Sequence, residues 1–223
     1  MIKQELVDKS PVRFFEKSTN GGLKAGEVGV LASKKGLGKT SVLVQFGLDM
    51  LLQDKQVIHV SFNQKQDFVM SWYEDIYAEV SKRKNLSEAD ALKTELVKKR
   101  IILNFNQEVK AAQIIKSLKA LAEGGIKVNA LIIDGLKLST VAAEIVADLK
   151  AYAKEAGIVI WLSVSTTDEV TVVPQDIVDI ADMVIYLDHK VDTTVMNISK
   201  NRENAATGVQ LKLDTKTLLM VEK

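Results

Sequence analysis

Apolar positions recur along this chain with two periods. Short runs that are apolar almost throughout alternate with longer stretches whose apolar residues fall three or four apart. Glu27–Ala32, Gln56–Phe62, Val128–Asp134, Gly157–Ser163 and Asp182–Leu187 are of the first kind and predict strands buried on both faces, as in a parallel sheet. Thr40–Gln53 is of the second kind, placing Val42, Leu43, Phe46, Met50 and Leu51 on one helical face, and Glu108–Glu123 and Thr140–Ala156 follow the same rule. Gly124-Gly125 stops the Glu108–Glu123 helix. Gln66–Leu103 reads as helical, with a cap at Ser87 and Asp90, before turning extended at Arg100–Asn104. Near the C-terminus the period becomes two: Thr194–Ser199 and Val209–Leu213 predict antiparallel strands joined near Asn204–Gly208. Strand and helix alternating, then a terminal hairpin, is the pattern of an α/β sheet with mostly parallel order.

Residues 1–26 form a lead-in, in which Phe14 and Phe15 are packing residues and Asn20-Gly21-Gly22 is a turn. No low-complexity linker interrupts the 223 residues, so one domain over 1–223 is expected. Composition changes the picture by exclusion. A hydrophobic content of 47% with 26% charged residues suits a globular protein rather than a disordered one. No apolar run is long enough to cross a bilayer and Met1-Ile2-Lys3-Gln4-Glu5 lacks a signal-peptide pattern, so a cytoplasmic location without a membrane partner is expected. The absence of cysteine excludes disulfides, thiolate nucleophiles and zinc–thiolate sites, and two histidines exclude a histidine-rich metal site. A net charge of +1 gives no general signal for nucleic acid, and between Lys154 and Lys190 there is no Lys or Arg.

The candidate chemistry starts at Ser33-Lys34-Lys35-Gly36-Leu37-Gly38-Lys39-Thr40-Ser41, which matches G-x-x-x-x-G-K-[ST] except that Ser33 stands at the first glycine. It lies between a predicted strand and a predicted helix. A turn of this kind points backbone N–H groups at an anion, the helix dipole favours negative charge there, and Lys39 reaches the terminal phosphates. Thr40 would hold Mg²⁺. The alternative is an ordinary strand-to-helix turn. Downstream, Leu131-Ile132-Ile133-Asp134 is an apolar strand closing on a carboxylate, the usual second half of such a site, with Asp134 holding Mg²⁺ through water. His59, inside a strand, reads as structural. The basic clusters Lys82-Arg83-Lys84 and Lys98-Lys99-Arg100 read as solvated helix surface, since no aromatic is interleaved with either.

The order of these features resembles the RecA-like P-loop ATPases, particularly the DnaB replicative-helicase and KaiC branches, over nearly the whole chain. Gly21-Gly22-Leu23-Lys24-Ala25-Gly26-Glu27 resembles the "GGL-x-x-GE" lead-in of that group, and Ala32-Ser33 its DnaB variant with a small residue for the first glycine. Leu131–Leu138 is similar to the "IDYLQL" segment, Leu149–Glu155 to "LKALAKE", and Lys200-Asn201-Arg202 with Thr207-Gly208 to "KNR…TG". The resemblance implies a RecA-like P-loop NTPase fold, ATP and Mg²⁺ as cofactors, and ring or filament assembly in which Lys200 and Arg202 reach the γ-phosphate of a neighbouring subunit and stabilise charge there.

Two departures accompany the matches. The family glutamate that activates water at the end of the second strand is replaced in Ser61-Phe62-Asn63-Gln64 by Asn63 or, with a register shift of one, by Gln64. An amide cannot accept a proton, so general-base help worth about 10²- to 10⁴-fold is absent, although Gln64 could still orient a water. The loops that carry basic residues to single-stranded DNA in the helicases are short or acidic here: Leu138 leads almost directly into the helix at Thr140, and Ser165–Gln175 carries Asp168 and Glu169 without a cation. Val164 stands where the family has a nucleotide-sensing glutamine, for which Ser163 or Ser165 substitutes only in part, and no N-terminal assembly domain is expected. Three functions follow: a weak or hydrolysis-impaired ATPase serving as a nucleotide-dependent switch or assembly factor with an unknown protein partner, an active DnaB-like motor on single-stranded DNA, and a degenerate structural subunit. The intact Gly38-Lys39-Thr40 speaks against the last.

Overall fold

The structure, a computed structural model, describes residues 2–62, 64–82, 89–106, 110–169, 171–205 and 210–221. Two short helices, α1 (Ile2–Asp8) and α2 (Val12–Ser18), open the chain. They are followed by β1 (Val28–Ser33), α3 (Lys39–Leu52), β2 (Gln56–Ser61), α4 (Gln66–Lys82), α5 (Ala89–Lys98) and β3 (Arg100–Asn104). Next come α6 (Ala111–Glu123), β4 (Val128–Lys137), a 3₁₀ turn (Leu138–Thr140), α7 (Ala143–Ala156), β5 (Val159–Ser165) and α8 (Gln175–Ile180). The chain closes with β6 (Met183–Lys190), β7 (Thr193–Asn201), β8 (Asn204–Ala205), β9 (Gln210–Leu213) and β10 (Met220–Val221).

These strands build one sheet in the order β10-β9-β7-β6-β1-β5-β4-β2-β3, with β8 paired to β7. From β3 to β6 all neighbours are parallel, and from β6 to β10 all are antiparallel. The expected α/β fold, mostly parallel with a C-terminal antiparallel hairpin, is what forms. Because side chains alternate across a strand, each parallel strand feeds two cores. Leu31, Ile132, Trp161 and Ile185 face α3, whose Val42, Leu43 and Phe46 pack on them together with Phe15 of α2 and Tyr73 of α4. Val30, Leu131, Ile133 and Leu162 face the other way, onto Leu118 of α6, Leu149 of α7 and Ile177 of α8. The near-continuous apolar runs that predicted the strands thus reflect burial on both faces.

Three differences from the sequence reading have local causes. The lead-in is helical rather than irregular, since Leu6, Val12 and Phe15 find a surface of α3 and β5 to cover. The acidic stretch before β6 contains α8, too short for its periodicity to show. Finally, β4 does not end at Asp134 but runs to Lys137. Ile133 pairs with Leu162 and Leu136 with Val164, so Asp134 and Gly135 together oppose Ser163. That is a β-bulge, and Gly135 at φ 96° supplies the backbone geometry a bulge asks for. Ser87, Arg83, Lys84, Glu108 and Val209 lie outside the described residues. The second basic cluster is engaged within the chain: Lys99 pairs with Asp54 and Glu95, and the Arg100 guanidinium sits 4.6 Å from the centre of the Tyr73 ring.

Candidate functional site

The loop Ser33–Ser41 leaves the C-terminal end of β1, which lies mid-sheet between β5 and β6, and enters α3. Open α/β sheets bind ligands outside the carboxyl ends of their strands, and this loop occupies that edge. Gly38 precedes α3 with φ 96°, in the left-handed region, and no side chain among the described residues caps the helix. The first-turn amides of α3 therefore remain available for an anion at the positive end of the helix dipole. An added Cβ at Gly38 would lie 2.9 Å from Leu213 Cδ1, so β9 presses on the loop from behind.

Lys39 turns back onto its own loop. Its Nζ donates to Ser33 O at 2.9 Å, Lys34 O at 3.0 Å and Ser33 Oγ at 3.1 Å, and the residue is only 8% exposed. Burial pushes its pKa down from 10.5 to about 8, against which the nearby Asp134 carboxylate works. Ser33, which breaks the motif on paper, thus has a use: its hydroxyl accepts from Lys39 and donates to Lys34 O at 2.8 Å. Thr40 Oγ1 donates to Asp134 Oδ2 at 2.7 Å, across the site from α3 to β4. Asp134, 4% exposed, also accepts from Ser163 Oγ, which in turn accepts from Gly135 N–H at 2.9 Å. The bulge re-aims the end of β4 so that Asp134 lies against Thr40, and Ser163 on β5 fixes the second carboxylate oxygen.

A hydroxyl and a carboxylate that face one another are the donor types Mg²⁺ takes from protein when phosphates and water complete its shell. Among the described residues no three His, Cys, Asp or Glu side chains group as a metal site, so a cation here would need oxygens from a ligand. The residues present fit that requirement. Lys34 forms an exposed ion pair with Asp168, which lowers the Asp168 pKa, so the acidic loop after β5 lies beside the phosphate loop instead of standing clear of it. Thr166 N–H also donates to Ser33 O at 3.0 Å. Lys35, Gly36 and Leu37 complete the loop, and Ser41 Oγ donates to Leu218 O at 3.1 Å.

The other expected residues are placed as follows. Val164 is buried in the sheet, and Ser163 rather than Ser165 contacts Asp134. Ser61 pairs with Asp134 at the end of β2, Gln64 N–H donates to Ser61 Oγ at 3.3 Å, and Gln64 Oε1 is buried without a hydrogen-bond partner among the described residues. Asn63 lies outside the described residues, as do Thr207 and Gly208. Lys200 and Arg202 are at the other end of the sheet: β7 runs opposite to β6, so Lys200 and Asn201 pair with Val184 and Met183, beside Val30 and Gly29 of β1. Lys200 Nζ donates to the last-turn carbonyls of α8, Val178 O at 2.6 Å and Asp179 O at 3.1 Å. Arg202 forms a fork on Glu27, at 2.8 and 3.0 Å, and donates to Gly22 O at 2.6 Å. They are not brought to the phosphate loop of their own chain. Two features escaped the sequence. His59 Nδ1 is 3.2 Å from the Tyr73 hydroxyl under the site, and Gln45 of α3 ties the C-terminal strand down, donating to Leu218 O at 2.9 Å and accepting from Met220 N–H at 2.8 Å. A glutamine among apolar helix positions was the available signal for the second.

No protein-family model matches the chain, and no curated protein matches it in sequence. Among solved structures it is similar to the ATPase domain of a DnaB-like helicase, with a TM-score of 0.72 over 96% of this chain and 90% of that one, at 14% identity. The likeness supports a RecA-like P-loop fold, and at that identity it concerns the fold alone. No described helix is long and apolar enough to cross a membrane.

Proposed function

We propose that the chain, taken as one unit over residues 1–223, is a RecA/DnaB-like protein that binds ATP with Mg²⁺. It hydrolyses ATP slowly or not at all and acts as a nucleotide-dependent switch or assembly factor. The observation that carries this reading is the meeting of Lys39, Thr40 and Asp134 at the C-terminal edge of the sheet, beside uncapped amides of α3. When bound, Mg²⁺ would neutralise phosphate charge. Thr40 and Asp134 would hold it, and Lys39 would leave its loop carbonyls for the terminal phosphates, exchanging dipoles for full negative charge. The loop amides from Gly36 to Ser41 would orient the phosphates. No carboxylate stands at Asn63 or Gln64, so no strong base follows β2, which favours binding over turnover. Assembly of copies would carry the switch, with Lys200 and Arg202 serving a neighbour's site only after leaving their present partners.

Calorimetry with ATP and Mg²⁺ on wild type and Lys39→Ala, together with turnover measured with and without single-stranded DNA, tests the proposal. Saturable binding, weakened by about tenfold to a hundredfold in Lys39→Ala, with turnover near the variant's background, is expected. Brisk wild-type turnover raised by single-stranded DNA would replace the switch with a motor. Absence of ATP and ADP binding would leave a structural subunit.

A further inference from the structure

A second recess lies at the edge of the sheet opposite the phosphate loop, where the C-terminal end of α3 meets the starts of β4 and β5. It is a cavity of about 380 Å³. Pockets of that size take small organic molecules. One wall is aromatic: Phe15, Phe46 and Trp161 lie together, with Phe46 stacked on Trp161 at a centroid distance of 4.5 Å and Phe15 4.8 Å from Phe46. The other wall carries carboxylates. Asp49 and Glu16 both line the space, and Arg13, between them, pairs with each. One guanidinium against two carboxylates leaves a net negative charge beside an aromatic surface.

Asp49 is the unusual member. It is 3% exposed, its Oδ2 accepts from Arg13 and from Gln53 Nε2 at 2.7 Å, and its Oδ1 has no hydrogen-bond partner among the described residues. A buried carboxylate oxygen left without a donor is costly, and native proteins satisfy such groups. Burial and the neighbouring Asp49 both raise the Glu16 pKa, consistent with a site short of positive charge. An ammonium or amidinium group supplies the missing donors and charge, and a flat or alkyl body beside it would lie on the aromatic wall, where a cation also gains from the ring faces. The space is roofed by Gly21–Ala25, the segment held by Arg202 through Gly22 O.

We propose that this cavity is a binding site for a small organic cation with an apolar body, of the arylalkylammonium class, held by Asp49 and Glu16 against Phe15, Phe46 and Trp161. The site is independent of the phosphate loop.

The test is fluorescence of Trp161 in a Trp72→Phe background, titrated with 2-phenylethylammonium and benzamidinium and, as isosteric controls, 3-phenylpropanol and 3-phenylpropionate. Saturable change with the cations, at least about tenfold weaker for the neutral alcohol and absent for the carboxylate, is expected. Asp49→Asn should weaken cation binding about tenfold, and Met50→Phe, which fills the recess without touching the charges, should weaken alcohol and cation alike. Blocked lysine amide in the same titration separates the sources: tighter binding than the free amine points to a basic side chain presented by a partner, weaker binding to a free metabolite. Should Asp49→Asn fail to fold, Glu16→Gln with Met50→Phe carries the same comparison. Equal affinity for alcohol and ammonium, no saturable signal with any cation, or unchanged binding in Met50→Phe overturns the proposal.

Discussion

Arg202 is the residue at which resemblance and geometry pull apart, and its removal distinguishes them. By resemblance it serves a neighbour's γ-phosphate. In the structure its guanidinium holds both carboxylate oxygens of Glu27, at 2.8 and 3.0 Å, and donates to Gly22 O at 2.6 Å and Asn201 Oδ1 at 3.1 Å. The two side chains are 25% and 18% exposed. An exposed ion pair contributes about 0–1 kcal/mol, whereas breaking a fully buried one costs about 3–5 kcal/mol. This pair is mostly buried, bidentate and backed by carbonyls that would lose their donor, so Arg202→Ala should cost about 2–3 kcal/mol. For a chain of this length that is a fall in Tm of roughly 5–10 °C. Urea unfolding is the assay, because guanidinium salts would screen the pair. Glu27→Ala alone and the double variant complete a cycle whose coupling should be about 1–2 kcal/mol. Arg202→Ala within about 0.5 kcal/mol of wild type, with loss of ATP-dependent association, would refute the internal role and return Arg202 to the neighbour's site.

Gly47→Ala should destabilise by about 1–2 kcal/mol in the same assay: alanine gains roughly 1 kcal/mol in helix propensity, but its Cβ would sit 2.4 Å from Tyr73 Oη and 2.8 Å from Ile132 Cδ1, and overpacking wins. A variant as stable as wild type would show that α3 and α4 separate freely. Burial pushes the His59 pKa down to about 4 from 6.5, so the unfolded chain takes up a proton that the folded chain refuses. Stability carried by neutral His59 is complete above pH 6.5 and is lost as pH falls toward 4, by about 3 kcal/mol in all, and His59→Phe should flatten that part of a pH–stability curve. An unchanged slope refutes it. Gln64→Glu should raise ATP turnover about 10²-fold, since the buried Oε1 stands at the end of β2 beside Asp134's strand. A rise with Asn63→Glu and none with Gln64→Glu would place the water at the other residue.

Much of this protein was legible from sequence alone because the relevant physics is local. A strand buried on both faces must be apolar throughout, so Val28–Ala32 and Leu131–Ile133 announced themselves. A phosphate loop needs Gly38 for its backbone and Lys39 for its charge in fixed succession, so the loop and its edge of the sheet could be placed before any fold was known. The order of strand and helix then fixed the α/β class.

What only the tertiary structure decided depends on contacts between distant parts of the chain. The bulge that turns Asp134 toward Thr40 arises from the mismatch between β4 and β5, which no local pattern in β4 encodes. Ser163 becomes a partner of Asp134, Lys34 meets Asp168, and Arg202 closes on Glu27, because each pairing spans strands or loops that touch only after the sheet has formed. The helical lead-in and the cavity beneath it have the same origin: short amphipathic segments such as Val12–Ser18 have little stability alone and become helices where α3 and β5 offer an apolar surface. Spacing along the chain therefore determined the phosphate loop, and packing across the sheet determined which residues surround it.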